Sequence, residues 1–207
     1  MTITASDDFN RADDPTGWGS NWSEDAGAAE ILTNRGRGTS GGTIMRAVGA
    51  FQTALADCEV SVTHVTGSGF DGGPIARKTD GATLTYYEAD AYASQIDIYR
   101  VVGGGAPVQI GTGGAITLTA NSVIKLKVTG TGATVTLIAT YAGTEEVNTT
   151  DTNASRITAA GQGGTKNYSA NADFDNWQID DLAVAGGNPF FGMFQPEQSG
   201  NAVVQRY

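Results

Sequence analysis

Residues that could carry out nucleophilic catalysis are scarce in this chain. Cys58 and His64 are the only cysteine and the only histidine among 207 residues. Both fall in one segment of alternating polarity, and at ~3.3 Å per residue their Cα atoms would lie ~20 Å apart along a strand. A thiol or hydroxyl nucleophile needs a base within hydrogen-bonding reach. The sequence therefore predicts no Cys–His or Ser–His catalysis, and Cys58 is expected to be a small core residue.

Other classes of site also lack their sequence signatures. The glycine run at residues 103–105 is not followed by a lysine at the spacing of a phosphate-binding loop. The chain has 12 Lys and Arg against 22 Asp and Glu, and its formal net charge is −10. Such a surface repels nucleic acid and anionic lipid. No apolar stretch is long enough for a membrane span, and no secretory signal follows Met1. We therefore expect neither a nucleic-acid partner nor a membrane partner.

The elements that must position any site read as short strands. Polar and apolar residues alternate over several segments, glycine-rich turns separate them, and no window carries a helical stripe. These segments are residues 54–65, 82–89, 95–101, 121–128, 133–141 and 174–184. Many short strands with glycine turns predict an all-β antiparallel sandwich or barrel. Residues 13–29, with Trp18 and Trp22, depart from this pattern and are predicted to form a long polar connection.

Several motifs, taken in order and spacing, resemble those of concanavalin A-like (laminin-G-like) jelly-roll domains. They are residues 7–13 (DDFNRAD) with Trp22 downstream, 73–77 (GPIAR), Asp80-Gly81, Tyr86-Tyr87, 98–102 (IYRVV), the hairpin strand 123–129, and 174–177 (FDNW). The resemblance covers about residues 5–184. It implies an antiparallel jelly-roll β-sandwich, two sheets packed face to face with the first and last strands adjacent. This fold hosts lectins, glucanases and many virion or cell-surface modules, so it does not decide function.

Glucanases of the resembled superfamily carry acidic residues at alternate strand positions, because only every second side chain faces the cleft. The nearest match is Glu88-Ala89-Asp90, and the third carboxylate needed for the acid/base role is absent. We expect Glu88 and Asp90 to form a solvated strand end and the protein not to be an enzyme.

A structural calcium is the one cofactor that the resemblance leaves open, since relatives often hold one on the convex face. Asp7 and Asp8 in the first strand could converge with Asp180 and Asp181 in the last, which makes Asp8 and Asp181 the candidate ligands. Solvated edge charges are the alternative.

Glycan binding would use aromatic faces and polar neighbours on the concave sheet. Sugar rings stack on aromatic side chains, while a guanidinium or amide fixes their hydroxyls. Arg77, Tyr87 and Tyr92 lie in strands that would form this sheet and are the candidate glycan-binding residues. Tyr99 and Arg100 are weaker candidates, because adjacent strand residues point to opposite faces.

The segment after the predicted domain of residues 1–185 changes composition. Residues 186–207 form a predicted C-terminal arm that is too short to fold alone and too apolar for a solvated linker. Its aromatic residues, Phe190, Phe191, Phe194 and Tyr207, are expected to dock on a neighbouring subunit or on the chain's own sandwich.

These features favour a non-enzymatic structural protein in the virion of a tailed bacteriophage, above all a capsid decoration or minor capsid protein. This interpretation rests partly on a resemblance of the DDFNRAD opening to phage proteins. The expected partners are other virion proteins or a second copy of this chain. The alternative is a carbohydrate-binding module of a phage tail or cell-surface adhesin, with host glycans as ligands.

Overall fold

A computed structural model of the chain describes residues 2–65, 69–79, 83–170 and 172–182. Within these ranges the chain forms fifteen strands and one 3-10 helix of three residues, Gly49–Phe51. In chain order the strands are β1 (Thr2–Asp7), β2 (Trp22–Ala26), β3 (Ala29–Ile31), β4 (Gly36–Gly38), β5 (Ile44–Ala47), β6 (Cys58–His64), β7 (Asp71–Lys78), β8 (Tyr86–Tyr92), β9 (Gln95–Val101), β10 (Val108–Ala115), β11 (Ser122–Thr129), β12 (Val135–Tyr141), β13 (Thr144–Asp151), β14 (Gln162–Asn167) and β15 (Asp173–Asp181). No helix in the described part of the chain has the length and apolar character of a membrane span.

The strands form two antiparallel sheets. The eight-stranded sheet has the order β13-β12-β11-β6-β15-β4-β3, and β1 pairs with β15 off this path. The seven-stranded sheet has the order β10-β9-β8-β7-β14-β5-β2. The first and last described strands are therefore neighbours, and the predicted all-β jelly-roll sandwich is confirmed.

The core lies between the two sheets and is built from alternate positions of each strand. In β11, Ile124, Leu126 and Val128 have no exposed surface, while the residues between them are partly exposed. Cys58 is also fully buried, as expected, and burial raises the pKa of its thiol to about 12. Burying one large aliphatic side chain stabilises the fold by about 1.5–3 kcal/mol, so this alternation drives the two sheets together.

The DDFNRAD motif forms a cluster that we call the Asp7 anchor, consisting of Asp7, Phe9, Arg11 and Trp22. The Arg11 guanidinium donates to Asp7 Oδ1 and Oδ2 at 2.7 and 2.9 Å. Trp22 Nε1 donates to Oδ2 at 2.7 Å, and the Phe9 amide donates to Oδ1 at 2.8 Å. Burial raises the pKa of Asp7, but these hydrogen bonds outweigh it and hold that pKa below its ordinary value. The motif therefore fastens the first strand to the core.

The connection predicted over residues 13–29 is wrong in part. Strand β2 lies within it and pairs with β5, and both Trp18 and Trp22 are buried. The Trp22 ring meets the Trp177 ring of β15 edge to face, with centroids 4.9 Å apart. The sequence did not predict this strand, because polar residues surround the two tryptophans and no apolar alternation is visible. The large apolar area of the two buried tryptophan side chains favours the burial of the segment.

Candidate functional site

Alternation along β8 divides its side chains between the core and the outer face of the seven-stranded sheet. Tyr87, Ala89 and Ala91 belong to the core cluster. Glu88, Asp90 and Tyr92 therefore lie on the opposite, outer face. Across the ladder to β9, Glu88 pairs with Tyr99 and Asp90 with Asp97, so these residues share the outer face too.

A pocket of about 340 Å³ opens on this face, and we call it the acidic pocket. It is lined by Asp71, Asp90, Tyr92, Tyr99, Pro107 and Tyr168. Its volume lies near the lower end of the range of about 300–1,000 Å³ that is typical of small-molecule sites.

Glu88 and Lys166 form a buried ion pair beneath the pocket. The Lys166 ammonium lies 3.2 Å from Glu88 Oε2, and Tyr168 donates its hydroxyl to the same oxygen at 3.1 Å. The ammonium also contacts the Tyr168 hydroxyl and lies 3.9 Å from the centre of the Tyr168 ring. Glu88 has no exposed surface and Asp90 is 5% exposed. The prediction that these two carboxyls form a solvated strand end is therefore wrong.

Asp71 and Asp90 bring two carboxyl groups together at the pocket wall, where they share a hydrogen bond. Burial, followed by the charges of Glu88 and Asp71, raises the pKa of Asp90 to about 9. Burial also raises the pKa of Asp71. The Asp71–Asp90 pair therefore retains one proton at neutral pH. In addition, Oδ1 of Asp90 is buried and has no hydrogen-bond partner among the described residues.

Asp97 holds two of the pocket tyrosines in place by hydrogen bonds to their hydroxyl groups. Tyr92 and Tyr99 donate their hydroxyls to Asp97 Oδ2 at 2.9 and 3.3 Å, and Gln95 Nε2 donates to Oδ1 at 2.7 Å. Asp97 has no exposed surface, whereas both tyrosine side chains are partly exposed. The aromatic rings are therefore held in place and still reach solvent.

Two glycines in β7 bring Asp71 close to the strand that carries Lys166. Gly72 has φ +149°, and a Cβ there would lie 2.4 Å from the Lys166 carbonyl oxygen of β14. A Cβ on Gly73 would lie 2.0 Å from the Ala89 carbonyl oxygen of β8. Only glycine permits both approaches, and they bring the three strands of the site together.

Of the three predicted glycan-binding residues, the structure places only Tyr92 at the pocket. Arg77 has no exposed surface and donates to the carbonyl oxygens of Ala56, Ile157 and Gly130. Tyr87 is equally buried and donates to Asp151 Oδ2 at 2.9 Å. Arg77 and Tyr87 thus support the core and cannot contact a surface ligand, which corrects that expectation.

The sequence carried one signal that separates these tyrosines. Tyr87 and Tyr92 are five positions apart on one strand, so they cannot share a face. The same spacing rule places Tyr92 with Asp90 and Glu88. No sequence pattern indicated that Asp71 and Tyr168 belong to the site. They reach it only because β7 pairs with β8 and with β14, the strand that ends just before Tyr168.

The two predicted calcium ligands do not converge. In the β1–β15 ladder Asp181 pairs with Thr2, whereas Asp7, next to Asp8, pairs with Trp177. Asp8 and Asp181 are therefore at opposite ends of the ladder, ~20 Å apart at ~3.3 Å per residue. An antiparallel pairing brings the end of the first strand to the beginning of the last, which is the physical reason for the correction.

Asp8 instead faces Asp175 across a second pocket of about 340 Å³, which Asn10, Asn34 and Asn176 complete. Burial, followed by the charge of Asp8, raises the pKa of Asp175. The described residues contain no group of three or more Asp, Glu, His or Cys that could hold a metal. The lining is nevertheless rich in carboxylate and amide oxygens, which are the ligand types that calcium takes.

The predicted docking residues Phe190, Phe191, Phe194 and Tyr207 lie outside the described residues. The domain boundary at residue 185 lies outside them as well. Docking through the arm therefore stays a prediction.

No protein-family model matches the chain, and no curated protein sequence matches it. Solved structures share its fold at low identity. A carbohydrate-binding module, CBM66 from Bacillus subtilis, has a TM-score of 0.61 and 16% identity, over 78% of this chain and 96% of that one. A protein of unknown function with a galectin-like fold, also from Bacillus subtilis, has a TM-score of 0.61 and 8% identity, over 87% and 96%.

The exoplasmic/lumenal domain of VIP36, in a Ca2+/Man-bound form, has a TM-score of 0.52 and 13% identity, over 79% of this chain and 84% of that one. At such identities the similarity establishes the fold, a lectin-like β-sandwich. It agrees with the concanavalin A-like architecture that the sequence motifs predict.

Proposed function

We propose that this protein is a carbohydrate-binding module and that the acidic pocket is its ligand site. The observation that carries the proposal is the combination of half-exposed tyrosines with carboxyl groups whose hydrogen bonding is incomplete, in one concavity of a sheet face. The lectin-like fold shared with CBM66 and VIP36 supports the same conclusion by analogy.

The pocket offers the contacts that a sugar ring requires. The rings of Tyr92, Tyr99 and Tyr168 supply apolar faces for the C–H side of a pyranose or furanose. Asp71 and Asp90 supply oxygens that accept hydrogen bonds from the ligand. Asp97 holds two of the tyrosines rigidly, so little side-chain entropy is lost on binding.

We propose further that the site binds without hydrolysing its ligand. The carboxyl groups of a glycosidase are about 5–5.5 Å apart when configuration is retained and about 6.5–9.5 Å apart when it is inverted. Asp71 and Asp90 hydrogen-bond each other, whereas the two carboxyl groups of a glycosidase act separately on the bond that is cleaved. Glu88 is covered and held by Lys166 and Tyr168, so it cannot reach a substrate.

A glycan array tests the proposal, with binding constants for the hits measured by calorimetry. We expect saturable binding that falls about tenfold or more, a loss of about 1.4 kcal/mol, in Tyr99→Ala and in Tyr92→Ala. Val108→Ala, an exposed apolar change in β10, serves as the control and should bind like the wild type. Wild-type binding by both tyrosine variants would place the site elsewhere. Absence of binding to every glycan would overturn the proposal.

A calcium ion is proposed at the second pocket, where Asp8 and Asp175 would hold it together with the amide oxygens of Asn10, Asn34 and Asn176. The ion would neutralise two facing carboxylates beside the β1–β15 ladder and so stabilise this edge of the sandwich.

A structural role in a bacteriophage virion stays a prediction. It depends on residues 186–207, and no contact of the described residues favours it over glycan binding. Virion partners, a virion location and association of two copies through the arm stay predictions on the same ground.

A further inference from the structure

The hydroxyl protons of the pocket tyrosines are all committed inside the protein. Tyr92 and Tyr99 donate to Asp97, and Tyr168 donates to Glu88. A phenolic hydroxyl has only one proton to donate. Toward the pocket these side chains therefore present lone pairs and ring faces, and no donor.

The carboxyl groups of the pocket add further acceptors. The one proton of the Asp71–Asp90 pair lies in their mutual hydrogen bond. The Oδ1 atom of Asp90 has no hydrogen-bond partner among the described residues, although Asp90 is only 5% exposed. A buried acceptor without a donor destabilises the protein, so a ligand that donates a hydrogen bond to this oxygen would be favoured.

Positive charge is absent from the described lining of the pocket. The nearest cation is Lys166, and its ammonium is already engaged by Glu88 and Tyr168. The carboxyl groups of Asp71, Glu88 and Asp90 all interact with this one ammonium. The pocket is therefore an electronegative site that offers acceptors almost exclusively.

We infer that the acidic pocket recognises the protonated amine of an amino sugar, an inference that rests on the proposed carbohydrate-binding function. An ammonium brings three donors and no acceptor, whereas a sugar hydroxyl brings one donor and also lone pairs that would face the lone pairs of the pocket. The partly exposed tyrosine rings add cation–π attraction, which a neutral glycan cannot use because it carries no positive charge.

The titration of the carboxyl pair agrees with this ligand class. In the free protein the pair retains a proton because burial and the neighbouring charges of Glu88 and Asp71 raise the pKa of Asp90 to about 9. The groups that face it are Asp71 on β7, Glu88 and Tyr92 on β8, Asp97 and Tyr99 on β9, and Lys166 and Tyr168 on or just after β14. An arriving ammonium replaces the proton, which passes to the buffer. Binding should therefore release about one proton and tighten as pH rises, as long as the amine stays protonated.

Calorimetry with four small probes tests the inference: the disaccharide of glucosamine, its N-acetylated counterpart, the corresponding neutral glucose disaccharide, and n-butylamine. We expect the glucosamine disaccharide to bind at least about tenfold more tightly than each of the other three. Titrations in two buffers of different ionisation enthalpy should reveal the released proton.

Two variants and a matched control separate the pocket from the general negative charge of the protein. Asp90→Asn should lose about tenfold or more in affinity for the glucosamine disaccharide, and Asp71→Asn gives a second, independent test. Glu145→Gln, which removes the same charge from an exposed position of β13, should bind like the wild type. Circular dichroism checks that each variant is folded.

Each contrary result has a distinct meaning. Equal or tighter binding of a neutral or N-acetylated disaccharide would overturn the amine inference and leave the proposed function standing. Butylamine binding as tight as that of the amino sugar would overturn recognition of a sugar. If Glu145→Gln lost as much affinity for the glucosamine disaccharide as Asp90→Asn, the net charge of the protein would explain the effect and the inference would be overturned. Failure of every glycan to bind would overturn the proposed function itself.

Discussion

The Asp7 anchor and the acidic pocket both contain buried carboxyl groups, and they differ in the donors that surround them. Asp7 accepts four hydrogen bonds, two from Arg11 and one each from Trp22 and the Phe9 amide. Asp90 shares a hydrogen bond with Asp71, and its Oδ1 atom has no hydrogen-bond partner among the described residues. The pKa of Asp7 accordingly lies below its ordinary value, while that of Asp90 is raised to about 9.

This difference shows that burial alone does not decide what a carboxyl group does. Desolvation raises the pKa of both groups, and only the donors at Asp7 reverse it. A carboxylate with its hydrogen bonds complete stabilises the fold. One that is left incomplete costs stability and is typical of a site that awaits a ligand.

The largest expected effect comes from removing Lys166, the cation that pairs with Glu88 beneath the acidic pocket. Lys166→Met leaves Glu88 buried without its counter-charge and should lower the free energy of unfolding by about 3–5 kcal/mol at pH 7. Urea denaturation measures this loss. Adding Glu88→Gln to the same variant should restore most of the stability, because no buried charge is then left alone. A single variant that costs less than about 1 kcal/mol would contradict the assignment of the pair.

The next effect tests the Asp7 anchor. Asp7→Ala leaves the Arg11 guanidinium and Trp22 Nε1 without their acceptor and should cost about 2–3 kcal/mol at pH 7. Because the folded-state pKa of Asp7 is lowered, its contribution is present above the ordinary pKa of 3.8 and is lost as pH falls through the folded value.

The cost measured by denaturation should therefore shrink as pH falls below about 4. Glu145→Ala, at an exposed position, should change stability by less than about 0.5 kcal/mol throughout. A cost that stays constant with pH would show that the alanine acts through packing alone.

A smaller effect of opposite sign is expected in the acidic pocket. Because the folded-state pKa of Asp90 is raised, its contribution is fully present below 3.8 and is lost as pH rises toward about 9. Asparagine does not ionise, so Asp90→Asn should match the wild type near pH 4 and exceed it by at least about 1 kcal/mol near pH 8, because each pH unit below the raised pKa adds to the difference. Thermal and urea unfolding at both pH values measure the difference. If the gain in stability of Asp90→Asn over the wild type became smaller as pH rises, the raised pKa of Asp90 would be contradicted.

The smallest effect concerns Asp8, which lies beside the Asp7 anchor but faces another carboxylate. Calcium at three times its dissociation constant should stabilise the protein by roughly 0.8 kcal/mol, seen as a rise in Tm over a sample in EDTA. Asp175→Asn and Asp8→Asn should abolish the rise, and Asp181→Asn should leave it unchanged. A rise that persists in both variants would place the ion elsewhere, and no rise in the wild type would refute the site.

The strands with regular apolar alternation could be predicted from the sequence. Residues 121–128 and 133–141 lie close to the observed bounds of β11 and β12. Strand β14 could not be predicted, because its sequence, QGGTKN, contains no apolar side chain, although all six residues are buried. Its burial comes from its central place between β7 and β5, which is a property of the assembled sheet.

The candidate site could be predicted only in part. Tyr92 and the alternation of Glu88 with Asp90 were readable along one strand, and the same rule separates Tyr87 from them. The predicted convergence of Asp8 with Asp181 was wrong, because antiparallel pairing brings Asp8 to the region of Asp175 and places Asp181 at the far end of the ladder, and calcium binding by Asp8 stays a prediction.

The sequence by itself determined the all-β sandwich, the burial of Cys58 and the side-chain alternation within each strand, because these follow from residue types and a period of two. Only the tertiary structure decided which carboxyl groups receive donors. Arg11 reaches Asp7 from four residues away, whereas Lys166 reaches Glu88 from seventy-eight residues away, across two intervening ladders. Local periodicity cannot encode such a contact, since it depends on strand order and register. Those same pairings place Asp71 against Asp90 and thereby create the acidic pocket.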